Sequence, residues 1–321
     1  MAGLFTFNKR KPKKIGLALG SGSVRGWAHI GVIHALNNAG IKIDYIAGTS
    51  IGSIVGSVFA ANNLEALEDV AVRLDWKQIA LLLDVVLPKS GIIDGNKVGE
   101  FVRKYLKEMN IEDLPIPFCA VSTDLSTGDE VVISEGDIIE AVRASISIPG
   151  IFTPVRNNGR ILVDGGLVNP VPVSVAREMG ADFVIAVDLS HGLVNEEASP
   201  QPELRAPHSE KDDQQHTEKK NSMLEAINSK LTAIDLSALS WMKHSPEEEP
   251  LPSIFDVITS SINIMETQIT ATRLKANPPD ILIQPNLSHI KFLEFNRASE
   301  AIAEGYAETE RQLDTLLKKV R

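Results

Sequence analysis

Three short runs in this 321-residue chain carry residue types that can act together on a carbonyl. Gly48-Thr-Ser50-Ile-Gly52 reads G-x-S-x-G between an apolar run and a helical pattern. A serine nucleophile must stand on a strained turn with its hydroxyl exposed. Neighbours bearing Cβ atoms would collide with such a turn, a clash that Gly48 and Gly52 avoid. A helix starting there aims its amide end at developing negative charge. The same residues also suit a glycine-flanked helix start with Ser50 as N-cap.

The second run, Gly20-Ser21-Gly22-Ser23-Val24-Arg25-Gly26, follows the first apolar run and opens a helix. A dinucleotide-binding reading fails on detail. Arg25 stands where the third glycine of G-x-G-x-x-G belongs, and Asp44 precedes the second strand instead of ending it. What is left is a run of backbone amides at a helix N-terminus, suited to hold an anion. A cation is disfavoured beside the positive end of a helix, so Arg25 is expected to donate to loop carbonyls or to an anionic group. Phosphate binding and plain turn geometry both fit this loop.

An alcohol such as Ser50 needs a neighbouring group to take its proton. Asp164 opens Asp-Gly165-Gly166 after the apolar run Ile161–Val163. Two glycines let the backbone turn sharply and leave the carboxylate at the strand's end, although the tripeptide also serves as a simple turn. Of the seven histidines, His29 and His34 read as packing residues on a helix. His208 and His216 fall in a segment too flexible to be held against a fixed serine. His191 is the serious rival, because Ser50, Asp164 and His191 run in the chain order of an α/β-hydrolase triad. Against it, only 49 residues precede Ser50, too few for the strands that usually lie before that elbow.

The elements that must position these groups follow from hydrophobic patterning. Residues 14–19, Tyr45–Ala47, Phe118–Val121 and Phe183–Val187 are short apolar runs that read as strands. Helical patterns fill Trp27–Asn38 and the stretch from the Ser50 turn to about residue 62. Strands alternating with helices require crossovers, hence a mostly parallel sheet with helices on both faces. Asn157-Asn-Gly159 between two β-prone runs predicts a hairpin. After His191 the composition shifts. Residues 194–222 are polar and charged, with too little apolar surface to offset their ordering entropy. An apolar stripe returns over 223–242 at Leu224, Ile227, Leu231, Ile234, Ala238 and Trp241. It suits a lid or membrane-surface helix, and equally one packed on the core or on a second subunit. A helix to about Lys275, a strand at Ile281–Ile283 and a closing helix at 293–319 complete the pattern. The expected organisation is a single domain over 14–321, interrupted by an insertion at 193–250 and preceded by a basic tail at 1–13.

Hydrophobic residues make up 43% and charged residues 23%, an ordinary globular balance. The formal net charge of −10 argues against nucleic acid as the partner. Cys119, the single cysteine, lies in an apolar run and fits a reducing compartment. The N-terminus lacks the apolar stretch of a signal peptide, and no run approaches a membrane span. A cytoplasmic protein is expected. The cluster Lys9, Arg10, Lys11, Lys13 and Lys14 either draws it to the inner membrane face as a peripheral contact or forms a merely solvated tail.

Taken together, Gly20–Gly26, Gly48–Gly52 and Asp164–Gly166 resemble the motifs of the patatin-like phospholipases, closest to the short bacterial proteins of the neuropathy-target-esterase branch. The likeness covers about residues 14–192 and extends to Ala144–Gly150 and Asn169–Pro172. Glu266-Thr-Gln268 and Pro278-Pro-Asp280 also look like the family. The resemblance implies a three-layer α/β/α fold with a mostly parallel sheet. It implies a Ser50–Asp164 dyad with no catalytic histidine, no metal and no cofactor, acting on a lipid acyl ester. Backbone amides near Gly22 and Ser23 would hold the oxyanion. One departure stands out: plant members have consecutive glycines where this chain has Ser21 and Ser23. If the loop needs positive φ at either, serine makes that conformation costlier. The competing expectation is a catalytically silent family member, serving as a regulatory or partner-binding module.

Overall fold

The computed structural model describes residues 13–74, 78–79, 84, 91–106, 109–193, 252–292 and 294–320. The segment 194–222, the helix expected at 223–242 and tail residues 1–12 lie outside the described residues. The chain divides into two units, Met1–Glu196 with Ile258–Arg321, and Glu197–Val257. Of the second unit only residues 252–257 are described beyond the boundary, and there Ser253 Oγ donates to Asp256 at 2.7 Å.

The predicted apolar runs form parallel strands of one sheet. Its parallel members are β1 (Ile15–Leu19), β2 (Tyr45–Thr49), β3 (Phe118–Asp124), β7 (Phe183–Val187) and β8 (Ile281–Ile283). Antiparallel strands β4 (Glu130–Ile133), β5 (Val155–Asn157) and β6 (Arg160–Asp164) extend it at the β3 side. Side chains alternate between the two faces, as the period of two requires. Leu17, Leu19, Ile46, Phe118, Ile185 and Val187 enter the larger core. Ala18, Ala47, Cys119, Val184 and Ala186 enter the smaller one.

The larger core receives apolar faces from helices α1 (Ala28–Asn38), α2 (Ile51–Ala60), α3 (Leu64–Ala71), α4 (Asn96–Leu106) and α5 (Ile138–Ser145). The smaller core is covered by α6 (Val173–Glu178) and Leu274 of α7 (Ile254–Ala276). A last helix, α8 (Ala298–Val320), returns to the larger side through Ile302 and Leu316. The result is a three-layer α/β/α fold around a mixed, mostly parallel sheet.

Register around β3 sets the geometry of the site. β4 pairs with Ala120–Thr123 along one edge of β3. The other edge is shared by two strands. β2 runs parallel against Phe118–Val121, and β6 runs antiparallel against Ser122–Asp124. Thr49 pairs with Val121 and Asp164 with Ser122, so β2 and β6 meet end to end. Whatever follows Thr49 must therefore face the end of β6.

The expected hairpin joins β5 to β6, with Asn158 at φ 47° and Gly159 at φ 77°. Two positive φ values in a two-residue loop match the twist of the flanking strands. The closing helix begins later than the patterning suggests. Phe295–Arg297 winds as a 3₁₀ turn before α8 starts at Ala298, a frequent way for a helix to begin. Among the described residues, no helix is long and apolar enough to cross a membrane.

Candidate active site

The turn between β2 and α2 holds Ser50 at φ 55°, ψ −124°, a conformation serine rarely adopts. Such strain persists only where surrounding contacts over-determine it. Ser50 N–H donates to Ser145 Oγ at 2.9 Å, and Ser145 Oγ–H donates to Val121 O at 2.6 Å. The elbow is thus tied through α5 to the very residue of β3 that pairs with Thr49. The flanking glycines answer to close approach, as expected. A Cβ at Gly48 would lie 2.5 Å from Gly52 O, and one at Gly52 only 2.2 Å from Leu19 O. Ser50 sits at the N-cap position of α2, but its side chain makes no capping bond.

Instead the Ser50 hydroxyl donates to Asp164 Oδ2 at 2.6 Å. The other carboxylate oxygen, Oδ1, accepts Gly166 N–H at 2.7 Å. The Asp164 backbone is held as well, its amide on Ser147 O at 2.9 Å and its carbonyl on Thr123 Oγ1 at 2.8 Å. Burial pushes the Asp164 carboxyl up to about 6, with the Ser50 and Gly166 hydrogen bonds acting in the opposite direction. No histidine reaches this pair among the described residues. His191 is exposed, and His34 bonds to Glu68 Oε2 at 2.6 Å. One expectation needs correcting: Ser50 and Asp164 are both buried, so the turn does not present its hydroxyl to open solvent. The hydroxyl is turned inward onto the carboxylate.

The loop Gly20–Gly26 lies beside this pair. Its amides have different fates. Gly20 N–H donates to Val187 O at 3.1 Å, Ser21 N–H to Pro170 O at 2.9 Å, and Arg25 N–H to Gly22 O at 3.2 Å. Those of Gly22 and Ser23 have no acceptor among the described residues. Ser23 does take positive φ, 52°, the conformation in which serine replaces glycine at a cost. Its hydroxyl donates to Phe292 O at 2.8 Å, which helps hold it there.

Arg25 is buried and behaves as expected of a cation near a helix start. Nε donates to Gly22 O at 3.2 Å, and Nη2 reaches Asn263 Oδ1 of α7 at 3.0 Å. Burial lowers its guanidinium to about 10, against the charges of Glu266 and Asp188. Gly26 packs against Ile51 so closely that a Cβ would lie 2.1 Å from its side chain.

Two residues of the site escaped the sequence reading. His29, expected only to pack, is fully buried with Nε2 2.8 Å from Gly20 O. Burial drives its imidazole down to about 4, so the ring is neutral and Nε2–H is the donor that fixes the loop. Glu266 of α7 is buried against the dyad. It stood in the sequence only as part of a family likeness. Its signal was positional: an acidic residue on the stripe Thr259, Ile262, Glu266, Thr270, where one helical face is buried.

The strained Ser50 turn, the Asp164 carboxylate on its hydroxyl and the loop amides beside them lie together at the strand ends of the α/β/α fold. Residues 17–177 match the family model described as patatin-like phospholipase, and the chain belongs to that family. Relatives place it within the NTE branch. It is 34% identical over 337 residues to an uncharacterized NTE family protein of Mycobacterium tuberculosis, covering 92% of this chain and 89% of that one. A second such protein from the same organism is 32% identical over 91% of this chain and 45% of its own length. Patatin-like phospholipase domain-containing protein 6 of Mus musculus is 34% identical over 54% of this chain and 13% of that one. Among solved structures, VipD of Legionella pneumophila is similar with a TM-score of 0.45 and 16% identity, over 95% of this chain and 67% of that chain. Family membership supports lipid hydrolysis as the general activity.

Proposed function

We propose that the protein hydrolyses acyl esters of lipids, as a phospholipase A or lysophospholipase-type esterase, with Ser50 as nucleophile and Asp164 as its base. The observation that carries this reading is the 2.6 Å hydrogen bond from Ser50 Oγ to Asp164 Oδ2 in a buried site. A carboxylate that burial has made more basic than usual, yet still ionised near neutrality, is suited to accept an alcohol proton.

The chemistry runs in two halves. Ser50 Oγ attacks the ester carbonyl carbon while its proton passes to Asp164 Oδ2. The carbonyl oxygen becomes an oxyanion, for which the free Gly22 and Ser23 amides are the candidate donors, with the α2 N-terminus nearby. Collapse breaks the bond to the alcohol, which leaves with the proton from Asp164, and Ser50 stays acylated. Water then donates its proton to Asp164 and attacks the acyl carbon. The second collapse releases the fatty acid and returns the proton to Ser50 Oγ. Gly20 and Ser21, whose amides are already occupied, shape the loop without donating to the oxyanion.

The test is hydrolysis of acyl esters across lipid classes by the purified protein, with Ser50→Ala as control. Release of fatty acid by the wild type and none by the variant is the expected result. A native protein that neither turns over any ester nor reacts at Ser50 with a phosphonate probe would instead be a silent scaffold.

A further inference from the structure

Glu266 occupies an unusual place. Its Oε1 stands 2.1 Å from the point where a Cβ on Gly166 would be, and Asp164 Oδ1 stands 3.1 Å from the same point. The second glycine of Asp-Gly-Gly therefore leaves room for a second carboxyl beside the first. The Ser21 hydroxyl and the Arg25 charge both favour its ionised form. One helical turn earlier, Asn263 of the same helix accepts from Arg25 at 3.0 Å. Helix α7 thus holds the glycine loop through Asn263 and packs against the Asp164 turn through Glu266.

We propose that Glu266 is a positioning residue for the hydrolysis, a carboxyl set beside Asp164 on the helix that also holds Arg25, sharing one proton with the base and keeping the glycine loop in place. It rests on the dyad reading above.

Two buried carboxyls crowding one glycine cannot both ionise cheaply, so the pair holds one proton. Burial is the main force raising Glu266, to about 8, and the Asp164 charge adds to it. The Ser21 hydroxyl and the Arg25 charge pull the other way, and Asp188 adds a smaller upward push. Asp164 is raised less, to about 6. The two carboxyls therefore share one proton, with burial and the Asp164 charge both raising Glu266. The charged and titratable groups facing Glu266 are Asp164 at the end of β6, Arg25 in the loop and Asp188 after β7. Asp188 is itself held by Ser190 Oγ at 2.6 Å and Gln284 Nε2 at 2.9 Å. When rising pH ionises Glu266, a second negative charge appears beside the base and opposes the oxyanion. Activity must then fall on the alkaline side.

The experiment compares wild type, Glu266→Gln and Glu266→Ala in p-nitrophenyl butyrate hydrolysis against pH, with melting temperatures for each. Glu266→Ala is expected to lose about tenfold to a hundredfold in kcat, because the Asp164 turn loses the carboxyl packed beside it. Glu266→Gln, neutral and isosteric, is expected to recover most of that loss and to lack the alkaline decline. A Glu266→Gln protein that keeps the wild-type alkaline decline, or is as impaired as Glu266→Ala at an unchanged melting temperature, would overturn the proposal. An infrared difference spectrum, wild type minus Glu266→Gln at pH 7, reads the proton without turnover. A carboxylic-acid carbonyl band supports the proposal and its absence overturns it. If the band is present while no ester is hydrolysed, it is the hydrolase reading that has failed.

Discussion

Ser50 Oγ lies 2.6 Å from Asp164 Oδ2 across 114 positions of sequence, and the sheet register accounts for the meeting. Thr49 and Asp164 pair with Val121 and Ser122, adjacent residues of β3, on the same edge. The parallel strand carrying the serine and the antiparallel strand carrying the carboxylate abut. The strained elbow then swings the serine hydroxyl toward the neighbouring strand end.

Burial of this pair has a stability consequence. A carboxyl raised on folding contributes most below its unfolded value, and that contribution is lost as pH rises through its folded value. For Asp164 the loss falls between about 4 and about 6. Asp164→Asn removes the ionisation cost and keeps an oxygen for the Gly166 amide. It should therefore melt higher than wild type at pH 7, with the gap narrowing toward pH 4. Thermal melts across that range check it; a gap that widens on acidification would contradict the burial argument. In the same range wild-type kcat/KM should decline below about pH 6 as the base protonates.

Ser145 tests the anchoring of the elbow. Ser145→Ala removes the acceptor of Ser50 N–H and the donor to Val121 O. Leaving a buried amide unpaired costs about 1–3 kcal/mol, which urea denaturation will read. A relaxed elbow also misplaces the nucleophile, so kcat should fall about tenfold or more while KM changes little.

Of these features the sequence displayed the elbow, the Asp-Gly-Gly turn, the hairpin and the buried strands, because each is local chemistry or local periodicity. The contacts that complete the site are not local. Ser145 meets Ser50 from 95 positions away, and the family likeness of Ala144–Gly150 does not say what that hydroxyl touches. The abutting of β2 and β6 is a property of β3's register, invisible in either strand alone. Glu266 stands in a stretch that resembles the family, but its place beside Asp164 shows only once the buried face of α7 is known. Strand β4 escapes patterning because Glu130–Ile133 is short and only Ile133 of it is buried.

The glycines of the elbow differ in kind from glycines in open turns. Gly52→Ala places a methyl 2.2 Å from Leu19 O, a backbone atom that cannot step aside, and should cost about 3 kcal/mol or more. At Gly128, with φ 76° and nothing within 4 Å of an added Cβ, alanine should cost only the left-handed conformation, about 1–2 kcal/mol. Denaturant midpoints of the two variants, side by side, check the contrast.

The central claim is that a carboxylate alone, without histidine, takes the serine proton. It is tested by kcat of Asp164→Asn and His191→Ala on one acyl ester, both confirmed folded by circular dichroism. Asp164→Asn should lose about a thousandfold or more, and His191→Ala should match wild type. A dead His191→Ala beside an active Asp164→Asn would contradict the dyad.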